Sequence, residues 1–295
     1  MFQSIRKGNW FVLAIVALSQ VSYAGSAIPL LSGFDRQRID ATYPPTDDES
    51  LGELAKLVYR LRSLDANTLK GLAEVTREAA SGDVITIEGT IESISKLAVP
   101  NELVEFLEFS QLFVIDVQEA ARMTRLITAR VPQGMQIGDQ VSAFGVVVDA
   151  STSTSGNGTT PRAVVSDSVR WFPKTHRNVG QQLLSESGFD LGMLSGAAAR
   201  NRRRLLPEDG DAFYAMLAAA ATVGARSELP TPESADPVAF LRDPRSMLGQ
   251  WVHLDLESVQ ITRITVPESH RQETIGSDHY FQIDAVGDLD GVVIR

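Results

Sequence analysis

Two nineteen-residue stretches constrain the fold of this chain more than any other feature. GDVITIEGTIESISKLAVP (Gly82–Pro100) and GQWVHLDLESVQITRITVP (Gly249–Pro267) both open on glycine and close on Val-Pro. Ile85 matches Val252, Ile87 matches Leu254, Ile94 matches Ile261 and Lys96 matches Arg263. With one extra residue in the intervening loop, LFVIDV (Leu112–Val117) then falls on YFQIDA (Tyr280–Ala285). Two matches in order and almost in register indicate a duplicated unit with a spacing of about 167 residues. A chain of 295 residues has room for two such units, consistent with about 100–200 residues per domain.

The first stretch also changes phase. Ile85, Ile87 and Ile91 share one face of a strand, whereas Ile94 has the other parity; Val252, Leu254 and Leu256 give way to Val259 and Ile261 in the same manner. One extra residue re-aims every later side chain, so the pattern predicts a β-bulge at the same place in both units, eased in the first by Gly89. Strands are expected at 84–97, 112–118, 124–131, 140–149 and 162–172, separated by Pro132-Gln-Gly134, Gly138-Asp139 and the tract STSTSGNGTTP (Ser151–Pro161). Helices are expected ahead of each set of strands. Ser50-Leu-Gly-Glu53 has capping-box spacing before the stripe Leu51, Leu54, Val58 and Leu61, and Thr68–Ala80 continues the pattern. In the second unit Asp211 precedes AFYAMLAAAATVG, with a further piece at Pro237–Leu241.

The predicted class is therefore α+β: two tandem OB-like small antiparallel β-barrels, each preceded by helices, with plain β-sandwich halves as the alternative. The domains read as 40–173 for the helical lead and first barrel, 174–210 for a linker holding a short helix near Gln181–Leu184, and 211–295 for a helical lead and partial second barrel. Aligned through Asp116 and Asp284, Ile294 corresponds to Leu126, so the second barrel reads as incomplete. Either the chain is a fragment, or another segment or subunit supplies the missing strands, because an open half-barrel leaves a bare edge and an apolar face.

Residues 1–24 form a separate leader: Arg6 and Lys7, then WFVLAIVAL, then small residues with Ser22 and Ala24 placed for cleavage before Gly25. That layout predicts an exported, periplasmic or cell-envelope protein. The apolar run is shorter than the roughly 20 residues of a bilayer span, and an uncleaved inner-membrane anchor through residues 10–24 is the runner-up. The formal net charge of −10 disfavours nucleic acid as a partner, since phosphate binding rests on Lys and Arg. With no cysteine, disulfides, thiolate metal sites and a cysteine nucleophile are excluded.

YRL (Tyr59–Leu61), VPQGMQIGDQVSAFG (Val131–Gly145), SVRWFP (Ser168–Pro173), FDLGML (Phe189–Leu194), AFYAMLAAA (Ala212–Ala220) and DHYFQID (Asp278–Asp284) together resemble uncharacterised exported proteins of planctomycete-type bacteria. The resemblance covers most of residues 40–295 and implies tandem β-barrel domains behind a signal or anchor, without a defined chemistry. It also implies a second barrel that continues past the point matching Arg295.

Nucleophile elbows, P-loops and H-E-x-x-H are absent from the sequence. Of the four histidines, His253 and His279, the latter beside Asp278, are the grouping that could converge; His270 falls in a loop and His176 stands apart. Asp116 and Asp284 recur between units, but paired carboxylates must flank one bond to cleave it, and these belong to separate domains. Asp116 reads as a solvated charge bridged across strands. The predicted ligand-binding residues are Phe113, Arg170 and Trp171, an aromatic platform with one cation on barrel strands, weighed against core filling. The cluster Arg200–Arg204 reads as a linker packing on acidic neighbours, with an anionic lipid surface as its other use. No catalytic residue, metal or cofactor is assigned. The expected function is a non-enzymatic exported binding or envelope-scaffold protein for a protein, glycan or small ligand. The alternative is a hydrolase with its polar site in the second unit or between domains, using His253, Asp278 and His279.

Overall fold

The computed structural model describes residues 25–75, 79–120, 122–150, 154–155, 158–159, 161–199, 204, 207–234 and 242–287. The expected leader, the helical piece expected at Pro237–Leu241, most of the Arg200–Arg204 cluster and the segment around Ile294 that matches Leu126 lie outside these residues.

The chain from Gly25 packs directly on the first unit: Ala27 N donates to Gly82 O, and Val84 N donates to Gly25 O, both at 2.8 Å. Helices α1 (Arg36–Asp40), α2 (Asp48–Leu61) and α3 (Ala66–Val75) follow. The capping box of α2 sits one turn earlier than Ser50–Glu53, because Asp47 takes the N-cap and its carboxylate accepts from Ser50 N at 2.8 Å. Glu53 pairs instead with Arg38 and Lys56. Likewise α3 is described over Ala66–Val75, and Ala79 and Ala80, within the Thr68–Ala80 expectation, are not helical.

The strands of the first unit are β1 (Val84–Ala98), β2 (Gln111–Gln118), β3 (Met123–Thr128), β4 (Gln140–Asp149), the small pair β5 (Thr154–Ser155) and β6 (Gly158–Thr159), β7 (Arg162–Val165) and β8 (Arg170–Phe172). A seven-residue helix, α4 (Asn101–Leu107), interrupts the β1–β2 connection. The first half of β1 pairs with β4 and its second half with β2, the handover falling at Thr90. Glu92 is the extra residue at the change of register between Ile91 and Ser93, where the phase change predicts a bulge. Gly89 permits the crossing, since a Cβ there would lie 2.3 Å from Gln118 O. Pairing runs β1-β2-β3-β7-β4 and returns from β4 to β1, with β8 added on β4.

Two corrections to the expected antiparallel barrel follow. The strand expected at 162–172 is two strands, because Ser166 Oγ turns back to donate to Phe144 O at 2.7 Å. The sheet is mixed, because β7 returns beside β3 in the same direction after the chain has crossed through β4. One face of this sheet forms an inner core of Ile85, Ile87, Ile91, Ile115, Val117, Leu126, Val141, Val147 and Val164. The other packs Val84, Leu112, Val114, Ile127 and Val146 against Leu54, Leu57, Val58 and Leu61 of α2.

Segment 174–210, read as a linker, carries α5 (Val179–Glu186) and α6 (Gly192–Ala199). The helix α7 (Pro207–Gly224) begins ahead of Asp211, with proline in its first turn. A third cluster joins Trp171, Phe189, Leu191, Met216 and Ala219, fastening these helices to β8.

The second unit holds β9 (Glu233–Ser234), β10 (Val252–His253), β11 (Glu257–Thr265), α8 (Ser269–Ile275) and β12 (His279–Val286). Its hairpin repeats the first unit residue for residue. Val259 is the extra residue between Ser258 and Gln260, as Glu92 is between Ile91 and Ser93. Ile261 faces Ile283 as Ile94 faces Ile115, and Arg263 faces Phe281 as Lys96 faces Phe113. Helices α4 and α8 occupy the same loop, each closed by a left-handed residue, Glu108 or Gly276. The outward face packs on a helix in both units: Leu112 belongs to the α2 core, and its counterpart Tyr280 lies 5.4 Å edge-on to Phe213 of α7. The front half of the first strand differs, because Val252–His253 pairs in parallel with β9. Tandem barrels are thus not what the described residues form: one closed circuit of pairings stands beside a two-stranded hairpin.

Candidate functional site

The three predicted binding residues are not brought together. Phe113 lies on β2, half-buried against the inner core, with Lys96 Nζ 5.2 Å above its ring. Trp171 lies on β8 in the third cluster, and its indole Nε1 donates to Asp139 Oδ2 at 2.7 Å. Arg170 is exposed, donates to Gly188 O at 2.8 Å and stacks 5.4 Å from Phe172. Phe113 thus lies apart from Arg170 and Trp171, because β2 and β8 are not neighbours in the sheet.

Sequence reasoning passed over Asp139, which it treated only as part of a Gly-Asp turn. Its side chain is fully buried and accepts three hydrogen bonds, from Gln136 N (2.9 Å), Trp171 Nε1 and Lys174 N (2.9 Å). Its backbone oxygen accepts from Ile91 N at 2.9 Å, which ties this turn to the bend of β1. Asp190 anchors the other side of Trp171 by accepting from its backbone N at 2.9 Å. Burial pushes the Asp190 carboxyl up, against the lowering effect of the Trp171 and Gly192 amides. Beside this anchorage an open hollow of about 740 Å³ is lined by Thr90, Glu92, Gln140, Phe172, Lys174 and His176. An apolar cleft of about 540 Å³ lies between α5, α7 and the Gly249–Trp251 turn.

Asp116 sits directly opposite Arg125 on β3, accepting from its Nε at 2.7 Å and from Ser93 Oγ at 2.8 Å, while Arg125 also reaches Tyr43 Oη. Burial raises the Asp116 carboxyl, but the Arg125 and Ser93 hydrogen bonds outweigh it and leave the group below its ordinary 3.8. A depressed carboxylate contributes stability that is full above the unfolded value and is lost as pH falls through the folded one. Asp116→Asn should therefore cost about 1 kcal/mol at neutral pH, partial exposure trimming the charged hydrogen-bond value. In urea unfolding carried down to about pH 2, that difference from the parent should shrink towards zero. A constant difference would assign the effect to packing alone.

The candidate acid–base residues are also dispersed. His253 on β10 lies 3.0 Å from Asp255 and belongs to a different sheet from His279. His279 Nδ1 is 2.5 Å from Asp278 Oδ1, and the hydrogen bond lowers the Asp278 carboxyl. Ser277 Oγ reaches the same ring nitrogen at 3.4 Å. Nucleophile activation needs the carboxylate on one imidazole nitrogen and the hydroxyl on the other, so this trio orients a histidine without building a relay. His270 lies exposed on α8. Asp284 accepts from Gln282 Nε2 at 3.2 Å. Among the described residues, no group of three or more His, Asp and Glu converges as a metal cage, and no helix is long and apolar enough to cross a membrane.

The most distinctive surface lies on the hairpin. Val259, Ile261, Phe281 and Ile283 are 67, 62, 58 and 56% exposed and form one apolar strip with His279, whose ring meets Phe281 edge-on at 5.3 Å. At the equivalent places of the first unit, Ile115, the counterpart of Ile283, is 0% exposed in the inner core, Ile94 and Phe113 are half-buried against it, and Glu92, which matches Val259, is exposed. Isolated exposed apolar residues are ordinary, whereas these four share one face of one hairpin. In comparison with known proteins, the chain matches no protein-family profile and no curated protein sequence.

Proposed function

We propose that this is a non-enzymatic exported binding or envelope-scaffold protein, built from one OB-like unit and a second unit of the same plan whose inward face is open for a partner. The observation that carries this reading is the exposed strip Val259, Ile261, Phe281 and Ile283, held rigidly by strand pairing and backed by α7. The OB-like description is supported by the bulged β1 serving two neighbours and by the return of pairing from β4 to β1. Export rests on the leader in residues 1–24, with cleavage before Gly25 preferred to retention as an anchor. The hydrolase alternative draws on the Asp278–His279 pair and has less support, because Ser277 and Asp278 meet the same nitrogen.

Photo-crosslinking in the cells that make the protein tests the binding reading. A photoreactive residue in place of Phe281 should give a discrete adduct, and one in place of the exposed Glu88 in the first unit should not. Absence of a specific adduct at position 281 overturns the reading.

A further inference from the structure

Away from the hairpin, where segment 174–210 meets the second unit, a pocket of about 260 Å³ is lined by Gln133, Arg177, Ser195, Ala198, Arg245 and Leu248. Its walls come from four stretches of chain fastened to one another. Leu248 O accepts from Asn178 Nδ2 at 3.4 Å and from Gln181 Nε2 at 3.2 Å, which ties the 245–248 turn to the start of α5. Helix α5 and this turn meet backbone to backbone, since a Cβ on Gly180 would lie 2.0 Å from Gly249 O. Helix α6 is held on two sides: a Cβ on Gly249 would stand 3.2 Å from Leu194, and one on Gly192 would stand 3.0 Å from Pro132, next to Gln133.

The charge of this pocket is one-sided. Arg177 and Arg245 both line it, and among the described residues no carboxylate does. Neither guanidinium has an ion pair, hydrogen bond or ring contact among the described residues. Arg38, Arg125, Arg226 and Arg271, by contrast, each meet a carboxylate at 3.0 Å or less. In a chain with 37 Asp and Glu against 27 Lys and Arg, a concavity that gathers two arginines and no acid runs against the general surface.

We propose that this pocket binds a phosphomonoester group. Guanidinium forks match phosphate oxygens in pairs, and two positive charges match the dianion. The Ser195 hydroxyl and the Gln133 amide supply neutral donors for the remaining oxygens. The volume falls just under the roughly 300–1,000 Å³ of drug-sized sites, which suits a phosphate carrying a few carbons. A soluble phosphorylated metabolite and a lipid headgroup share this chemistry. The site is separate from the hairpin strip, so its failure would leave the binding reading of that strip untouched.

Calorimetric titration of the full chain with glycerol phosphate should show binding. Arg177→Ala and Arg245→Ala should each weaken it by about tenfold or more. Arg60→Ala, at an exposed arginine of α2, should leave it unchanged. On the parent protein, glycerol phosphate should protect Arg177 and Arg245, and not Arg60, from phenylglyoxal, read by peptide mass spectrometry. The proposal is overturned if glycerol phosphate neither binds nor protects, if acetate binds and protects equally, or if the two alanine variants bind like the parent. Phosphatidylcholine vesicles with and without phosphatidic acid separate the two sources. Co-sedimentation that requires both arginines identifies a lipid headgroup, and glycerol phosphate binding without co-sedimentation identifies a soluble ligand.

Discussion

Replacing Asp139 with alanine should lower the unfolding free energy by about 3–4 kcal/mol, measured by denaturant titration. Three donors point at this one buried carboxylate, two from the backbone at Gln136 and Lys174 and one from the Trp171 indole. Each would be left without an acceptor, at about 1–3 kcal/mol per buried group before water enters the gap. The residue also stands where β1 changes partner, since Ile91 and the Gly138–Asp139 turn exchange backbone hydrogen bonds at 2.9 Å. Asp139→Asn should cost roughly half as much, because its oxygen can still serve Gln136 and Trp171 while its amide opposes the Lys174 N–H. A loss below about 1 kcal/mol for the alanine variant, or an asparagine variant as damaged as alanine, would remove Asp139 from this role.

The contrast between Asp139 and the β1 bulge shows what kind of information the chain carries locally. The bulge is legible because a parity switch is written along one strand, and it is written twice, around Glu92 and around Val259. Most strand positions are legible for the same reason, as alternation and turn residues are short-range signals. Pairing is not local. Nothing in RAVV says that β7 lies parallel to β3, and nothing in SVRWFP says that Trp171 faces Asp139 and Asp190, thirty-two and nineteen residues away. The predicted platform of Phe113, Arg170 and Trp171 required strand neighbours that periodicity cannot supply. Helices α4 and α8 escaped notice because seven residues give barely two turns, too short for a periodic stripe, although Pro100 directly precedes the first and Pro267 lies two residues ahead of the second. The start of α7 could have been read from Pro207, a residue suited to a first helical turn. The open hairpin face was legible in outline. Aligning the two units identified Ile283 as the partner of Ile115, and only the structure shows one of them bare.

That pair yields the sharpest expected result in the molecule. Ile115 and Ile283 hold matching places on matching strands, each facing an isoleucine across the hairpin, yet one is fully enclosed and the other is more than half exposed. Ile115→Ala should cost about 3–4 kcal/mol, the transfer term plus the cavity left among Leu126, Val141, Val147 and Val164. Ile283→Ala should change stability by less than about 0.5 kcal/mol, because its side chain already spends most of its area in water. Aspartate sharpens the contrast: at position 115 it would bury a charge without a partner and prevent folding, while at position 283 the isolated chain should fold as before. Ile283→Asp should at the same time abolish the crosslink from position 281, because an incoming apolar surface would meet a carboxylate. If Ile283→Asp instead destabilised the isolated protein by several kcal/mol, the strip would already be covered within the chain, and the second unit would be a closed body with no face to offer. Two substitutions at equivalent places thus separate a residue that holds the fold together from one kept for an encounter, and the difference lies in the strands around them.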